Sequence, residues 1–235
     1  MTAPDLNCDF IVLCGGLGKR LRALVTDNNK TMAMLNNRPF LDLILAHIKT
    51  QGGGRVILCT GYKADKVEEY YRRNSQGLTI EFSREEEPLG TGGAIKQAVS
   101  SVQTDTFFAL NGDSHCPLDY ASMLEDYRAK NARALIAVSK IDDNKDYGGV
   151  ALDDRQRILS FEEKSEQGPA QYVNAGVYCL NRRIFDVMSM PERFSIEYDF
   201  FPRLLNQGFY GYVHGQSFWD IGTPERYQKA LDELT

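Results

Sequence analysis

Two short stretches, far apart in the chain, carry residue types that could handle a polyphosphate and its metal ion. The first is the glycine turn Gly15-Gly16-Leu17-Gly18, which follows the apolar residue Leu13 and precedes the cations Lys19 and Arg20. The second is Asn111-Gly112-Asp113, at the end of another apolar run. Glycines let backbone N–H groups approach an anion closely, and a carboxylate can hold Mg²⁺ together with substrate phosphates. Together the two stretches predict chemistry on a nucleoside triphosphate.

The glycine turn matches neither of two well-known phosphate motifs. No Gly-Lys-Ser/Thr closes it, as a Walker loop requires, and the third glycine of a dinucleotide fingerprint is missing. Arg20 and Lys30 are the predicted phosphate ligands, the first through its planar fork and the second as a point charge. The structural alternative is that this segment is only a strand-to-loop turn with cations on the surface. The second glycine segment, Gly90-Thr91-Gly92-Gly93, favours the functional reading because a helix N-terminus can receive an anion.

Asp220 is the predicted partner of Asp113 in a metal site. It follows Phe218-Trp219 and precedes Ile221-Gly222-Thr223-Pro224, a sequence typical of entry into a helix. Both acids have a structural alternative, since Asn-Gly-Asp is a common turn and Asp220 could simply belong to the helix entry. His115 is predicted to be a loop residue without a catalytic role.

Composition predicts an ordinary globular protein. The 235 residues suffice for one domain, and 43% hydrophobic with 25% charged residues is the usual balance. A net charge of -5 argues against a nucleic-acid binder. The five cysteines are widely spaced without a C-x-x-C pair, which predicts reduced thiols in a cytoplasmic protein. No signal peptide and no membrane-spanning run is expected, so neither nucleic acid nor membrane is a predicted partner.

Apolar runs alternate with helical patterns through the first half of the chain. Strands are predicted over 10–14, 55–60, 78–83 and 106–110, with helices over 40–48, 63–73 and 92–102. This alternation predicts an α/β fold with a doubly wound, mostly parallel central sheet flanked by helices. Ligands of such sheets gather at the carboxyl ends of the strands, where the glycine turns and Asp113 fall.

The pattern is looser in the second half. Strands are predicted over 132–139, 149–152, 158–162 and 172–180, and helices over 182–188, 196–206 and 224–234. We expect one domain over 1–235, with a nucleotide half at about 1–115 and a sugar-phosphate half at about 116–235.

In the order of its motifs the chain resembles the sugar-1-phosphate nucleotidyltransferases, or nucleotide-sugar pyrophosphorylases. The resemblance covers nearly the whole chain and implies a Rossmann-like nucleotidyltransferase fold. It rests on six segments and one lysine: Gly15-Gly16-Leu17-Gly18-Lys19-Arg20-Leu21, Lys30, Glu87-Pro88-Leu89-Gly90-Thr91-Gly92-Gly93-Ala94, Asn111-Gly112-Asp113, Phe161-Glu162-Glu163-Lys164, Asn174-Ala175-Gly176, and Trp219-Asp220-Ile221-Gly222-Thr223-Pro224.

The resemblance implies an enzyme that transfers a nucleotidyl group to a sugar 1-phosphate and releases pyrophosphate with the help of Mg²⁺. It implies that catalysis depends on the cations Arg20, Lys30 and Lys164, and that Mg²⁺ is bound by Asp113 and Asp220. The implied nucleotide contacts are Leu13, Gly15, Gly16, Gly18, Lys19, Glu87, Gly90, Gly92 and Gly93. The implied sugar-phosphate contacts are Tyr147, Gly148, Glu163, Lys164 and Asn174.

The chain departs from the family pattern in two places near the triphosphate. Lys19 stands where members usually have threonine, and Asn29-Lys30-Thr31 replaces the usual Pro-Lys-Pro. The lysine is kept but the stiffening prolines are not, so a more mobile loop is expected when the site is empty.

Within the family, the segment that begins at Glu87 resembles guanylyltransferases more than thymidylyl or cytidylyl members. This implies GTP. The Leu13-Cys14-Gly15-Gly16 start, the short chain and the Asp220-Ile221-Gly222-Thr223-Pro224-Glu225 ending resemble the members that act on D-glycero-α-D-manno-heptose 1-phosphate, which implies this acceptor and, as product, GDP-heptose for bacterial surface polysaccharide. Mannose 1-phosphate as the acceptor, and a uridylyltransferase acting on another sugar 1-phosphate, stay open. The resemblance is also compatible with a homo-oligomer.

Two alternatives belong to other functional classes. A non-catalytic nucleotide-sugar sensor could use the same fold, although such a module would not need to keep Asp113, Asp220 and Lys164 together. A glycosyltransferase of similar architecture would be expected to carry a D-x-D pair, and Asn111-Gly112-Asp113 offers only one acid. Pyrophosphate release separates the predicted reaction from both alternatives.

Overall fold

The computed structural model describes residues 6–16, 18, 29–140, 148–163, 172–215 and 218–234. Thirteen strands occur in these ranges, nine of them in a central sheet. In chain order they are β1 (Asp9–Leu13), β2 (Met34–Leu35), β3 (Arg38–Pro39), β4 (Arg55–Thr60), β5 (Thr79–Arg84), β6 (Thr106–Asn111), β7 (Ser114–His115), β8 (Ala134–Ser139), β9 (Gly148–Leu152), β10 (Ile158–Glu163), β11 (Tyr172–Asn181), β12 (Phe209–His214) and β13 (Trp219–Asp220). The pairs β2–β3 and β7–β13 form separate two-stranded ribbons.

The first half of the chain forms the parallel part of the sheet. Strand β1 lies between β4 and β6 and is parallel to both, and β5 continues the sheet beyond β4. Strands β1, β4 and β6 are short apolar runs that are buried on both faces, which is the expected pattern for parallel strands covered by helices, whereas the edge strand β5 is partly exposed. The predicted fold class, a doubly wound and mostly parallel sheet flanked by helices, is confirmed.

The second half extends this sheet through β11. This long strand runs antiparallel to β6 on one side and to β8 on the other, and its first residues also pair with β9. Strand β10 is antiparallel to β9, and β12 is parallel to β8. The sequence analysis did not predict β12, β7 or β13. Two of these are only two residues long, and Gly211 interrupts the apolar pattern of β12.

Helices cover both faces of the sheet. They are α1 (Phe40–Thr50), α2 (Ala64–Arg73), α3 (Gly90–Ala98), α4 (Tyr120–Ala129) and α5 (Pro224–Glu233). Apolar residues of α1, α2, α4 and α5 pack in one core, and α3 packs in a second core with the aromatic residues of 194–209. Thr223 caps α5 as predicted, with its side chain accepting from the backbone N–H of Arg226.

The predicted helices over 182–188 and 196–206 are wrong in type. The first is a four-residue 3-10 turn (Ile184–Val187), and the second is a π turn (Ile196–Phe200) followed by a 3-10 turn (Phe201–Leu204). Buried Phe200 and Phe201 fill the second core, and Pro202 lies in the first turn of the last segment. Tertiary packing of aromatic rings, rather than helical periodicity, sets the backbone here.

The chain direction creates a crevice between β1 and β6. From β1 the chain moves outward to β4 and β5, and it then returns to the other side of β1 to form β6. Loops that leave the carboxyl ends of two such strands diverge to opposite faces, which opens a ligand site. Gly15 follows β1 and Asp113 follows β6, so the crevice lies between the two sequence motifs.

Two further predictions concern the whole chain. All five cysteines are buried and free. None of the helices in the described part of the chain has the length and apolar character needed to cross a membrane.

Candidate active site

A cavity of about 510 Å³ opens at the carboxyl edge of the parallel strands. Loops that follow β1, β4, β5 and β6 build its wall, together with the start of α3. Its lining residues are Leu13, Gly15, Gly16, Asn29, Lys30, Thr31, Gly61, Tyr62, Glu85, Glu86, Glu87, Pro88, Gly90, Thr91, Ala94, Asn111 and Asp113. Seven of the predicted site residues therefore share one cavity: Leu13, Gly15, Gly16, Lys30, Glu87, Gly90 and Asp113.

Gly15 must be a glycine because two loops meet over its Cα atom. A Cβ atom there would collide with Oε1 of Glu85 and would lie 3.3 Å from the backbone nitrogen of Gly61. The Gly15 carbonyl accepts from the backbone N–H of Tyr62 at 3.1 Å, which ties the β1 loop to the β4 loop. The glycine thus brings the backbone of β1 and the carboxylate of Glu85 into contact at the cavity wall.

Lys30 and Asp113 form an ion pair at the other end of the cavity. Their Nζ and Oδ2 atoms are 2.6 Å apart, and the side chains are 14% and 36% exposed. Gly18 has a φ of +56°, and a Cβ atom on it would lie 2.8 Å from Cβ of Lys30. Gly18 therefore lies against the Lys30 side chain, although it does not line the cavity.

The turn that carries Lys30 is anchored by the buried side chain of Asn29. Its amide nitrogen donates to the carbonyls of Cys14 at 2.6 Å and Tyr62 at 2.9 Å. Its amide oxygen accepts from the backbone N–H and from the hydroxyl of Thr31, both at 3.0 Å. Hydrogen bonds to three segments thus hold this turn where the family pattern has proline rings.

Asp113 directly precedes β7 and Asp220 ends β13, so the β7–β13 ribbon brings their backbone positions close together. Asp220 pairs with Ser114, and the backbone N–H of Ile221 donates to the Asp113 carbonyl at 3.0 Å. Asp220 is 9% exposed, and its Oδ1 accepts from Gly222 at 2.8 Å and Arg226 at 3.2 Å. Within the described residues, no group of three or more His, Cys, Asp or Glu side chains could hold a metal ion. The arrangement suits a metal that completes its shell with substrate oxygens.

His115 lies on the same ribbon but faces the core rather than the cavity. It is 7% exposed, and its ring lies 5.5 Å from the ring of His47 and 6.1 Å from that of Trp219. Burial, followed by the nearby His47, lowers the pKa of His115 to about 4. It belongs to a strand rather than to the predicted loop, and it does not line the cavity.

Glu85 is the half-buried acid of the cavity wall at the end of β5. Its Oε2 accepts from the backbone N–H of Leu89 at 2.9 Å. Burial raises the pKa of Glu85, and the Leu89 hydrogen bond opposes that shift. Glu86 and Glu87 follow it on the rim and are exposed. A carboxylate held in this way presents acceptor oxygens to a ligand in the cavity.

The glycines at the start of α3 have different tasks. Gly90 lines the cavity and has a φ of +74°, a backbone conformation that favours glycine. Gly92 and Gly93 lie behind the wall, where their N–H groups donate to the Phe194 carbonyl at 3.0 and 3.2 Å. A Cβ atom on Gly92 would collide with the Phe194 ring. The structure gives these two predicted nucleotide contacts a packing role.

Three predicted sugar-phosphate residues lie at the same edge of the sheet as Asp113. Glu163 pairs with Gly148 across β10 and β9, and Gly149 pairs with Val173 of β11, next to Asn174. Because Val177 of β11 pairs with Leu110 of β6, the start of β11 projects beyond the carboxyl end of β6. The Gly148, Glu163 and Asn174 positions are therefore neighbours beside the crevice.

Several predicted residues lie outside the described part of the chain. They are Lys19, Arg20, Tyr147 and Lys164, and the side chain of Glu163 is not described either. Their roles stay predictions.

Sequence reasoning missed four cavity residues whose importance depends on tertiary contacts: Asn29, Glu85, Thr91 and Asn111. Within the described residues, the buried Oδ1 of Asn111 has no hydrogen-bond partner, so it can accept a hydrogen bond from a ligand. Asn29, Thr91 and Asn111 lie inside segments that the sequence analysis named without giving these residues a role, and Glu85 had a signal as the first acid of the Glu85-Glu86-Glu87 run before Pro88.

The sequences of characterised proteins extend this picture. The chain is 40% identical over 227 residues to D-glycero-alpha-D-manno-heptose 1-phosphate guanylyltransferase of Aneurinibacillus thermoaerophilus, a match that covers 96% of this chain and 98% of the relative. It is 36% identical over 230 residues to mannose-1-phosphate guanylyltransferase of Mycobacterium tuberculosis, covering 96% of this chain but 64% of that protein.

The fold is shared with a solved structure of similar length. The crystal structure of HddC from Yersinia pseudotuberculosis complexed with GMP-PN superposes with a TM-score of 0.86 at 34% identity, covering 97% of this chain and 100% of that chain. The sequence profile described as Nucleotidyl transferase matches residues 10–235. With its glycine-lined cavity at the carboxyl edge of a doubly wound sheet, the chain belongs to the nucleotidyl transferase family.

Proposed function

We propose that this protein transfers a guanylyl group from GTP to D-glycero-α-D-manno-heptose 1-phosphate, which yields GDP-heptose and pyrophosphate. The proposal rests on one observation, which is that a carboxylate and an ion pair lie at opposite ends of the same cavity. The Glu85 carboxylate lies at the β5 end, and the Lys30–Asp113 ion pair lies at the β6 end.

The separation of these two features suits a nucleotide. Strand order places β1 and β4 between β6 and β5, so three strand spacings of about 4.8 Å separate the ends, roughly 14 Å in total. A nucleotide lying across this edge has its base against Glu85 and its phosphates beside Lys30. Gly16 lines the cavity between the ends, and a Cβ atom there would meet nothing within 4 Å, so this part of the wall is open to the nucleoside.

The chemistry of Glu85 favours guanine over the other bases. Guanine presents two adjacent donors, N1–H and the N2 amino group, and a carboxylate accepts from both. Uracil and thymine present a single N–H between two carbonyl oxygens, which a carboxylate repels. Adenine and cytosine each place a ring acceptor beside their amino group. The carboxylate therefore selects the base with two neighbouring donors.

The reaction needs two anions to meet. An oxygen of the sugar phosphate attacks the α-phosphorus, and the bond from that phosphorus to the bridging oxygen of the pyrophosphate breaks. No enzyme nucleophile is required, so the protein must position the groups and neutralise their charge. Lys30 is the described cation at this end of the cavity, and Arg20 and Lys164 are the further cations that we assign to the phosphates.

Nucleotidyltransferases of this family generally use a divalent metal ion. The donor set fits Mg²⁺, because Asp113 and Asp220 supply hard carboxylate oxygens from neighbouring backbone positions and Asp113 reaches the cavity. When bound there, Mg²⁺ would neutralise phosphate charge and promote departure of pyrophosphate. The residues Tyr147, Gly148, Glu163 and Asn174 are assigned to the sugar.

The acceptor is assigned by similarity over the full length of a relative. The Aneurinibacillus thermoaerophilus protein carries the heptose 1-phosphate in its name and matches this chain nearly end to end. Mannose 1-phosphate is the second candidate, supported by the lower identity to the Mycobacterium tuberculosis protein.

A substrate panel tests the proposal. Pyrophosphate release is measured with Mg²⁺ and each of GTP, UTP, dTTP, CTP and ATP against heptose, mannose, glucose and N-acetylhexosamine 1-phosphates. We expect turnover with GTP and the heptose phosphate, and turnover lower by about 10²–10³ in an Asp113→Asn variant run in parallel. Turnover with another combination of nucleotide and sugar phosphate would keep the reaction type but identify different substrates. A folded protein that binds GTP but releases no pyrophosphate with any acceptor would favour the sensor.

A further inference from the structure

A chain of hydrogen bonds behind the cavity joins the start of α3 to the sugar side of the site. Its centre is the carboxylate of Glu197, in the π turn that follows Phe194. Oε2 of Glu197 accepts from the hydroxyls of Thr91 at 2.5 Å and Ser195 at 2.9 Å, and Oε1 accepts from the hydroxyl of Tyr178 at 3.1 Å. The carboxylate is thus held by three hydroxyl donors from three elements.

The chain continues from Tyr178 to Asn174 on β11. The Asn174 amide nitrogen donates to the Tyr178 oxygen at 3.0 Å, and the Asn174 amide oxygen accepts from the backbone N–H of Gly176 at 2.9 Å. This stretch of β11 is irregular, because the pairing register with β8 shifts between Asn174 and Tyr178, and Gly176 has a φ of +74°. Because of this irregularity, the pairing of β11 with β8 is interrupted directly after Asn174.

The direction of the hydrogen bonds that join Glu197, Tyr178 and Asn174 follows from the carboxylate. A carboxylate can only accept, so Tyr178 must give its single proton to it. Tyr178 is fully buried, and burial followed by the charge of Glu197 raises its pKa well above the usual value, which keeps that proton in place. The oxygen of Tyr178 is then left as an acceptor, and it receives hydrogen bonds from the side chains of Asn174 and Asn111.

We propose that Glu197 is a positioning residue of the sugar-phosphate subsite, which it serves by fixing the orientation of the Asn174 amide through Tyr178. This inference rests on the proposed function, in which Asn174 contacts the sugar. With its polarity fixed, Asn174 keeps one N–H and one oxygen lone pair beyond its two internal bonds, and these can recognise a sugar hydroxyl. Without the acid, the Tyr178 hydroxyl could donate towards Asn174 instead, and the Gly176 N–H alone would then hold the amide in its orientation.

The segment that carries Glu197 also forms hydrogen bonds with the start of α3, on the nucleotide side of the cavity. The Phe194 backbone pairs with Leu89, Gly92 and Gly93 at 3.0–3.2 Å, and the Ile196 N–H donates to the Thr91 hydroxyl at 3.0 Å. These contacts do not pass through Glu197, and the Thr91 hydroxyl that donates to Glu197 can also donate to the amide oxygen of a glutamine, so this replacement should leave the α3 wall in place. The effect should therefore fall on the sugar phosphate more than on GTP.

The test compares Glu197→Gln and Tyr178→Phe with the control Asp199→Asn. Asp199 lies two residues away, is exposed, and accepts only from the Ser195 backbone N–H at 2.7 Å among the described hydrogen bonds, which asparagine can still do. In steady-state assays of pyrophosphate release, we expect about a tenfold higher KM for the sugar phosphate in the two relay variants, the effect of one lost hydrogen bond. The KM for GTP should stay within about twofold.

A second readout follows the amide directly. Gly176 N–H needs the Asn174 oxygen, so its hydrogen exchange should accelerate about tenfold in Glu197→Gln and Tyr178→Phe but not in Asp199→Asn. Unchanged Gly176 exchange in both relay variants would overturn the proposal, as would equal effects on both KM values. A wild-type protein that turns over no sugar phosphate would refute the proposed function, while the exchange data would still decide whether Glu197 orients Asn174.

Discussion

In the proposed function Glu85 selects the base of the nucleotide, and contacts with two neighbouring loops hold its carboxylate in place. The Leu89 N–H holds one oxygen, and Gly15 lets the other approach the β1 loop. Replacing the acid by glutamine keeps the shape but exchanges one acceptor for a donor. One of the two guanine donors then faces the amide NH2 group of glutamine, which cannot accept. Uracil and thymine, by contrast, can pair a carbonyl oxygen and the N–H with this amide.

For Glu85→Gln we expect kcat/KM for GTP to fall about 10–100-fold, the usual value of a bidentate base contact. The ratio of UTP or dTTP to GTP turnover should rise by a similar factor. Glu86→Gln is the matched control, since Glu86 is the exposed neighbour on the rim. Equal losses with every nucleotide in Glu85→Gln would mean that this acid supports the loop and does not select the base.

Asp113 combines a position in the cavity with a partly exposed ion pair. Because such pairs contribute at most about 1 kcal/mol, Asp113→Asn should change the free energy of unfolding by less than that. Turnover should fall by about 10²–10³, as when one electrostatic group of an active site is removed. Asp105→Asn, just before the other end of β6, should leave turnover unchanged. Near-wild-type turnover in Asp113→Asn would remove this acid from the site.

At the level of elements, the turn over 29–32 holds Lys30, to which we assign a catalytic role, without the prolines of the family pattern. Asn29 has a φ of -64°, which is the value that a proline ring imposes. The backbone therefore already has the geometry of the usual Pro-Lys-Pro segment, while the anchoring comes from the buried amide side chain.

We expect Asn29→Ala to lower the free energy of unfolding by about 1–3 kcal/mol, because buried carbonyls lose their donors. Asn29→Pro loses the same bonds but recovers about 0.4–1 kcal/mol by restricting the unfolded chain. Urea unfolding should thus rank the proteins as wild type, then proline, then alanine, and the KM for GTP should follow the same order. A proline variant less stable than alanine would show that the turn needs more than a proline-like backbone.

The elements that were predictable are those with a strong local signal. Strands β1, β4 and β6 are apolar runs that end in glycine or polar turns, and β5 alternates apolar and polar residues. Of the residues predicted from the motifs that follow these strands, Gly15, Lys30, Glu87 and Asp113 line the cavity. Helix α4 was missed although it has the helical spacing Tyr120, Met123, Leu124 and Tyr127 and the N-cap Asp119.

Other features could not be read from the sequence. The ribbon β7–β13 depends on residues about a hundred positions apart, and its four residues have no strand pattern. Asn29 and Glu197 gain their roles only from hydrogen-bond partners in other segments. Gly92 and Gly93 look like a phosphate turn, yet their tertiary neighbour Phe194 occupies their N–H groups.

On the scale of the whole molecule, three histidines with lowered pKa values make the free energy of unfolding depend on pH. His115 and His47 are in ring contact, and burial lowers the pKa of both, as it also does for His214. In the unfolded chain a histidine titrates near 6.5. The folded state therefore binds protons less readily than the unfolded state, so stability is complete above pH 6.5 and falls as the pH decreases towards 4.

From the pKa of about 4 for His115, the free energy of unfolding should drop by about 2 kcal/mol between pH 7.5 and pH 5. Urea titrations across this range measure the drop. In His115→Asn the dependence on pH should weaken by that amount, with His47 and His214 accounting for the remainder. A wild-type protein of constant stability over this range would contradict the burial of a neutral His115.

The β7–β13 ribbon also has a consequence for biosynthesis. A nascent polypeptide that has just completed β6 already holds the strands and glycines of the nucleotide cavity, and Lys30 can already meet Asp113. Asp220 joins only after more than a hundred further residues have been translated and β13 has docked on β7. The adjacent pair of acids therefore exists only in molecules whose second half has folded, so a ribosome-bound fragment would lack it.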